Sequence, residues 1–290
     1  MATVEEIERP QPKLIPWSQR LADLPWWVLI VLIAGLVIVY TILNSDIYRD
    51  TFLFLIEGVK LTVMVTLISF SIALVLGLIT SLGRVSSKPV IYTISSLYVE
   101  VVRGVPLLVQ IIYVAFVIVP LFVQLLNGLG ELMLRQSIFD PLGQLALSLA
   151  NLSIKNVDMS LRAMVGLAIG YGAYEAEVFR AGIESISKGQ MEAARSLGMS
   201  YAQAMRYIIL PQAIRVVLPP LGNDFIAMLK DSSLISALAV TELTQLGKLN
   251  RARTFRTFET WNMVTFLYLS MTLLLSLLVK FLERRMAIEK

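Results

Sequence analysis

Long apolar runs separated by short polar stretches dominate the chain. They fall at residues 26–43, 60–82, 106–126, 161–183 and 261–282, with an interrupted stretch at 208–240. A helix needs about 20 apolar residues to cross roughly 30 Å of hydrocarbon. Only a structure that satisfies its own backbone groups survives there, and for isolated runs of this length that structure is the helix. The pattern therefore predicts an all-α polytopic membrane protein with about six transmembrane helices. The first run is too long for the core of a signal peptide and no small-residue cleavage site follows it, so it is expected to be retained.

Basic residues orient the spans. Arg9, Lys13 and Arg20 precede the first run, Arg84 and Lys88 follow the second, Lys188, Arg195 and Arg206 follow the fourth, and Arg284, Arg285 and Lys290 follow the sixth. With six alternating crossings all of these share one side, which places both termini in the cytoplasm. Lys248, Arg251, Arg253 and Arg256 disagree. Either that loop carries its charge on the outer side, or the 208–240 stretch is not a simple crossing. Trp26, Trp27 and Trp261 stand at span ends as interfacial anchors do. The segment 127–160 is the longest external connection, and its run 142–152 is too short to span.

Composition narrows the chemistry. Hydrophobic residues make up 57% of the chain and charged ones 16%, against about 25% charged in soluble domains; the mean hydropathy is +0.74. The chain has no cysteine and no histidine, which removes disulfides, thiolate metal sites, histidine proton relays and serine–histidine catalysis. No metal site and no catalytic residue is expected. The net charge of +4 fits cytoplasmic lysine and arginine, not nucleic-acid binding. A phosphate-cradling G-x-x-x-x-G-K-[ST] loop is absent, so the chain lacks the usual means of holding nucleotide.

Residues 189–211 read GQMEAARSLGMSYAQAMRYIILP. Glu192-Ala193-Ala194, three residues, Gly198, nine residues, Ile208, one residue and Leu210-Pro211 reproduce the EAA signature, and this string resembles the cytoplasmic docking loop of permease subunits of type I bacterial ABC importers. Residues 191–197 read as a short helix. Ala193 and Ala194 are small enough for close approach of another protein, Gly198 permits the turn that ends the helix, and Pro211 is expected to separate the element from the next span. The resemblance implies that Glu192, Ala193, Ala194, Gly198, Ile208, Leu210 and Pro211 form the contact with an ATPase. ATP and magnesium would be held by that ATPase and no cofactor by this chain.

A second group of strings resembles permeases for polar amino acids: Tyr171–Ile183 (YGAYEAEVFRAGI), Val102–Gln110 (VRGVPLLVQ), and 210–225 continuing to 229–234. Gly170 departs from the asparagine common there. The resemblance covers roughly 55–285. It implies a five-helix core with one added N-terminal helix, organised as a tail at 1–25, the added helix and external loop at 26–52, the permease domain at 53–285 with an insertion at 127–160 and the docking loop at 188–211, and a tail at 286–290. It further implies two ATPase subunits, a second permease subunit (identical or paralogous), an extracytoplasmic amino acid-binding protein, and a place in the bacterial plasma membrane.

Charges inside spans are costly and face the bundle interior or a cavity. Tyr171 and Glu175 share a helix face, and Glu177 and Arg180 are spaced to pair. Glu175, Glu177, Tyr171, Tyr174 and Arg103 are the candidates for the substrate pathway, with the carboxylates receiving an ammonium and Arg103 a carboxylate. Structural ion pairs between helices are the competing reading of these residues, and for Lys230 and Asp231 a structural or gating role is preferred. A permease for another small solute and an ion-coupled carrier remain the alternative functions.

Overall fold

The computed structural model describes residues 26–135 and 143–286. The tails at 1–25 and 287–290, and residues 136–142 of the insertion, lie outside the described residues. The chain divides into two units, residues 1–49 and 50–290. In the first, α1 (Trp26–Asn44) is apolar on every side, and its end is closed by Ser45 N–H donating to the Thr41 carbonyl at 2.9 Å.

The second unit carries the rest. Its helices are α2 (Asp46–Arg84, which starts in the first unit), α3 (Pro89–Arg103), α4 (Leu107–Arg135), α5 (Gly143–Ala150), α6 (Met159–Glu184), α7 (Lys188–Ser196), α8 (Leu210–Asp231), α9 (Leu243–Thr254) and α10 (Thr257–Met286). The helices α2, α4 and α10 are long and apolar enough to cross a membrane by composition alone, and residues Val28–Asn44 of α1 form a shorter apolar helix. The helices α6 and α8 fail that criterion because they bring charge into the bundle. At 26 residues α6 is about 39 Å long, and it packs against α3, α4 and α8.

Two features differ from the sequence expectation, and a third agrees with it. First, a helix that the apolar runs did not mark, α3, precedes the third run: it ends at Arg103, the chain turns through Gly104 and Val105, and α4 begins after Pro106, where that run starts. The cause is Pro106, which has no N–H for the Val102 carbonyl one turn back. Second, α4 continues past residue 126 to Arg135 and packs against α5, so the proposed insertion starts inside a helix. The 208–240 stretch is interrupted, as its pattern implied. Helix α8 stops at Asp231, a 3-10 segment runs over Ser232–Leu238, and α9 begins after the N-cap Glu242, whose carboxylate accepts from Thr244 and Gln245 N–H at 2.9 and 2.8 Å.

The 3-10 segment fills the core between crossings, where Ile235 and Leu238 pack with Val65, Ile111, Met164 and Leu167. Close approach of α2 and α9 depends on Gly58, since a β-carbon there would sit 2.7 Å from Leu243 Cα. Backbone cannot give way as a side-chain tip can. Gly58→Leu is expected to cost about 2 kcal/mol, read as a lowered midpoint of thermal unfolding in detergent.

Candidate functional site

The end of the bundle beyond α6 is built by α7. Leu197 N–H donates to the Ala193 carbonyl at 3.1 Å, Gly198 N–H to Arg195 at 3.0 Å, and Met199 N–H to Ala194 at 3.1 Å. This is the paired closure that a left-handed residue makes possible at a helix C-terminus, and Gly198 supplies it at φ +86°. The next turn is fixed by a capping box, with Ser200 Oγ accepting from Gln203 N–H at 3.2 Å and Gln203 Oε1 accepting from Ser200 N–H at 2.8 Å.

Met191, Ile186, Met205, Ile209 and Ala213 pack together with Leu82 of α2 and with Val85 just beyond its end, which roots α7 on the bundle. Glu192, Ala193 and Gly198 are exposed, and Leu197 is 82% exposed. Ala194 is only 4% exposed. Adjacent residues on a helix lie about 100° apart, so the two alanines cannot share a surface: Ala193 faces outward and Ala194 packs inward. Ile208 and Leu210 are half-buried against the same cluster. Pro211 does not separate α7 from α8. The chain is helical from Tyr201 onward, with a π turn at Met205–Ile209 ahead of the proline. The wider turn and a first-turn position absorb the missing N–H.

Between the crossings, two groups of polar side chains divide the candidates for the substrate pathway. Glu175 is completely buried, and among the described residues its carboxylate has no hydrogen-bond partner. It stands against α2 at Gly77, where a β-carbon would come 2.5 Å from Glu175 Cβ. One turn earlier, the Tyr171 hydroxyl donates to Asp231 at 2.7 Å, and Tyr171 packs with Ala73 and Met228. Tyr171 and Glu175 thus share the buried face, as their spacing implies.

Glu177, two residues on, points elsewhere and gathers three arginines. Arg84 of α2 pairs with it, Arg103 lies 3.7 Å away, and Arg180 donates at 2.7 and 3.0 Å. Arg180 also pairs with Glu184 at 2.6 Å, and Arg103 stands over the Tyr174 ring at 5.6 Å. Glu177, Arg103 and Tyr174 therefore belong to one ionic knot that joins α2, α3 and α6, separate from Glu175 and Tyr171.

Sequence reasoning named the string containing Gln110 without giving the residue a role. Its carboxamide N–H2 donates to the carbonyls of Val102 at 2.6 Å and Val105 at 2.5 Å, replacing the donor that Pro106 lacks. The available signal was a side chain with a free amide four residues after a proline in an apolar run. Replacing Gln110, 7% exposed, by leucine would take this donor from both carbonyls and leave Val102 to the longer bond from Val105 N–H at 3.3 Å, at about 2 kcal/mol. Gln110→Leu is expected to lower the unfolding midpoint and transport together, checked by thermal unfolding and uptake on one preparation.

Known proteins share this architecture. Residues 73–288 match the family described as binding-protein-dependent transport system inner membrane component, and the chain belongs to that family. It is 35% identical over 234 residues to the glutamine transport system permease protein GlnP of Escherichia coli (strain K12), a match that covers 81% of this chain and 93% of the relative. It is 33% identical over 244 residues to the probable glutamine ABC transporter permease protein GlnM of Bacillus subtilis (strain 168), covering 84% of this chain and 98% of the relative. Its fold resembles a chain in the crystal structure of an amino acid ABC transporter with histidines, with a TM-score of 0.64 and 35% identity over 84% of this chain and 97% of that one. The chain is accordingly the membrane component of a transport system, of all-α type I permease fold.

Proposed function

We propose that the chain forms the translocation pathway of an ATP-driven importer for polar amino acids, with a separate ATPase docking on the exposed face of α7. The observation that carries this reading is the geometry of α7: a short helix rooted on the bundle by Met191 and Ala194, closed at Gly198, with Glu192, Ala193 and Leu197 turned out to a partner. The relatives' names support the amino acid class, and the charged side chains of α6 supply groups for a zwitterion. The end of the bundle that carries α7 faces the cytoplasm in this reading, together with both termini, and two ATPase copies dock on a pair of permease subunits. An extracytoplasmic binding protein delivers the substrate to the opposite end.

In alternating access, movement of α7 with its ATPase is passed through Ile183, Met205 and Ile209 to α6 and α8. Those helices carry Glu175, Glu177 and Asp231, so a shift of α6 against α8 alters the pathway between them. Co-purification of the ATPase with the permease in mild detergent tests the docking. It is expected to survive in the parent and to fall by about tenfold when Leu197→Arg places a bulky cation on the docking face. Undiminished recovery of the ATPase with that variant would remove α7 as the contact.

A further inference from the structure

The elbow between α9 and α10, at the end opposite α7, carries a cluster of cations that no ion pair neutralises among the described residues. Lys248, Arg251 and Arg253 are exposed and Arg256 is half-buried. Among the described residues none of the four forms an ion pair. Lys248 donates to Ser236 Oγ at 2.8 Å and Arg253 stands over the Phe54 ring at 4.5 Å. Two aromatic side chains lie among the cations: Phe255 is 87% and Phe258 73% exposed. Phe255 also holds a left-handed backbone at φ 58°, a conformation that costs a residue with a β-carbon roughly 1 kcal/mol or more and that sets its ring at the tip.

The elbow also has a definite height. The apolar run of α2 begins at Lys60, which marks the edge of the hydrocarbon, and Phe54 lies six residues beyond it, about 9 Å along the helix. The headgroup layer on each side is about 5–8 Å thick. Arg253 on Phe54 is therefore at or past the outer limit of the headgroups, where a cation meets water or protein and not lipid phosphate. Four cations on the translocated side run against the usual distribution of lysine and arginine, and exposed arginine with aromatic rings is the composition of a contact surface for protein.

We propose that this elbow is the surface on which the extracytoplasmic binding protein docks, through an acidic rim on that protein. The proposal rests on the orientation given under the proposed function. Complementary charge at such a rim acts mainly on encounter, so docking here is fast and sensitive to salt. The rings of Phe255 and Phe258 supply the apolar contact that persists when salt is raised.

The test uses the complete transporter with its ATPase in nanodiscs, made with and without anionic lipid, and the system's own binding protein. Because the chain has no cysteine, Phe255→Cys in intact cells reports the side directly through a membrane-impermeant maleimide. Labelling from outside is expected. Binding-protein stimulation of ATP hydrolysis is then titrated for the parent and for Arg251→Glu/Arg253→Glu. The double variant is expected to need about ten times more binding protein at low salt, to lose its salt dependence, and to keep its unstimulated hydrolysis; a Phe255→Ser variant shows the same direction at high salt. Labelling only from the cytoplasmic side would overturn the orientation, and the docking with it. Labelling from outside with an unchanged titration, or with a change that follows the anionic lipid and not the binding protein, would overturn the docking alone.

Discussion

Gly198→Val is expected to abolish ATP-driven uptake while leaving the bundle folded. Gly198 holds φ +86°, and a β-carbon there would meet nothing within 4 Å. The demand is on the backbone, not on space. A left-handed conformation costs an ordinary residue about 1–2 kcal/mol, and a β-branched one more. The chain escapes that strain by opening the turn, which frees the Ala194 and Arg195 carbonyls now held by Met199 and Gly198 and swings α7 away from the face set by Met191. These groups lie at an exposed end, so the unfolding midpoint shifts little. Uptake should fall at least about tenfold for valine, while asparagine, which visits this conformation more readily, should retain a substantial part of the activity. The comparison is made as uptake and ATP hydrolysis on the same reconstituted preparation, and normal uptake by the valine variant would refute the role of the turn.

Glu177→Ala has the largest expected effect on stability. One carboxylate, 19% exposed, holds Arg84, Arg103 and Arg180 together, and the Arg84 side chain is only 12% exposed. Removing the carboxylate leaves three guanidinium groups facing one another between α2, α3 and α6. Breaking a buried pair from one side costs about 3–5 kcal/mol, and the partial exposure here brings the expectation to about 2–3 kcal/mol. Among the described residues Arg84 then keeps one distant acidic partner, Glu100 at 3.8 Å. The double variant Glu177→Ala/Arg180→Ala should recover part of the loss, because it removes one of the repelling charges. Thermal unfolding of the permease in detergent reads both, and a double variant less stable than the single one would show that the knot is not held by charge.

Much of the architecture was legible along the chain because lipid imposes a length on every crossing. The apolar runs marked α1, α2, the N-terminal two-thirds of α4, α6 and α10, and the EAA spacing marked α7. The i, i+3 spacing of Glu177 and Arg180 gave their pair. What stayed hidden depended on contacts between distant segments. Nothing in the local sequence says that Arg84 and Arg103 converge on Glu177, or that Tyr171 reaches Asp231 sixty residues away. The break at Pro106 was visible as a proline, yet its repair by Gln110 needs the two side chains' three-dimensional course. The split between Ala193 and Ala194 was deducible from the helical angle alone. The basic residues near 250 were a legible conflict, and the interrupted course of α8, the 3-10 segment and α9 accounts for their place on the elbow.

The most direct test of an ATP-driven importer docked through α7 is uptake of a labelled amino acid into vesicles that contain the permease, with binding protein outside and ATP supplied at the ATPase face. Accumulation is expected to require both the ATPase and ATP, and to continue when ionophores collapse every ion gradient. Accumulation that proceeds without ATP and disappears with the ionophores would contradict that expectation.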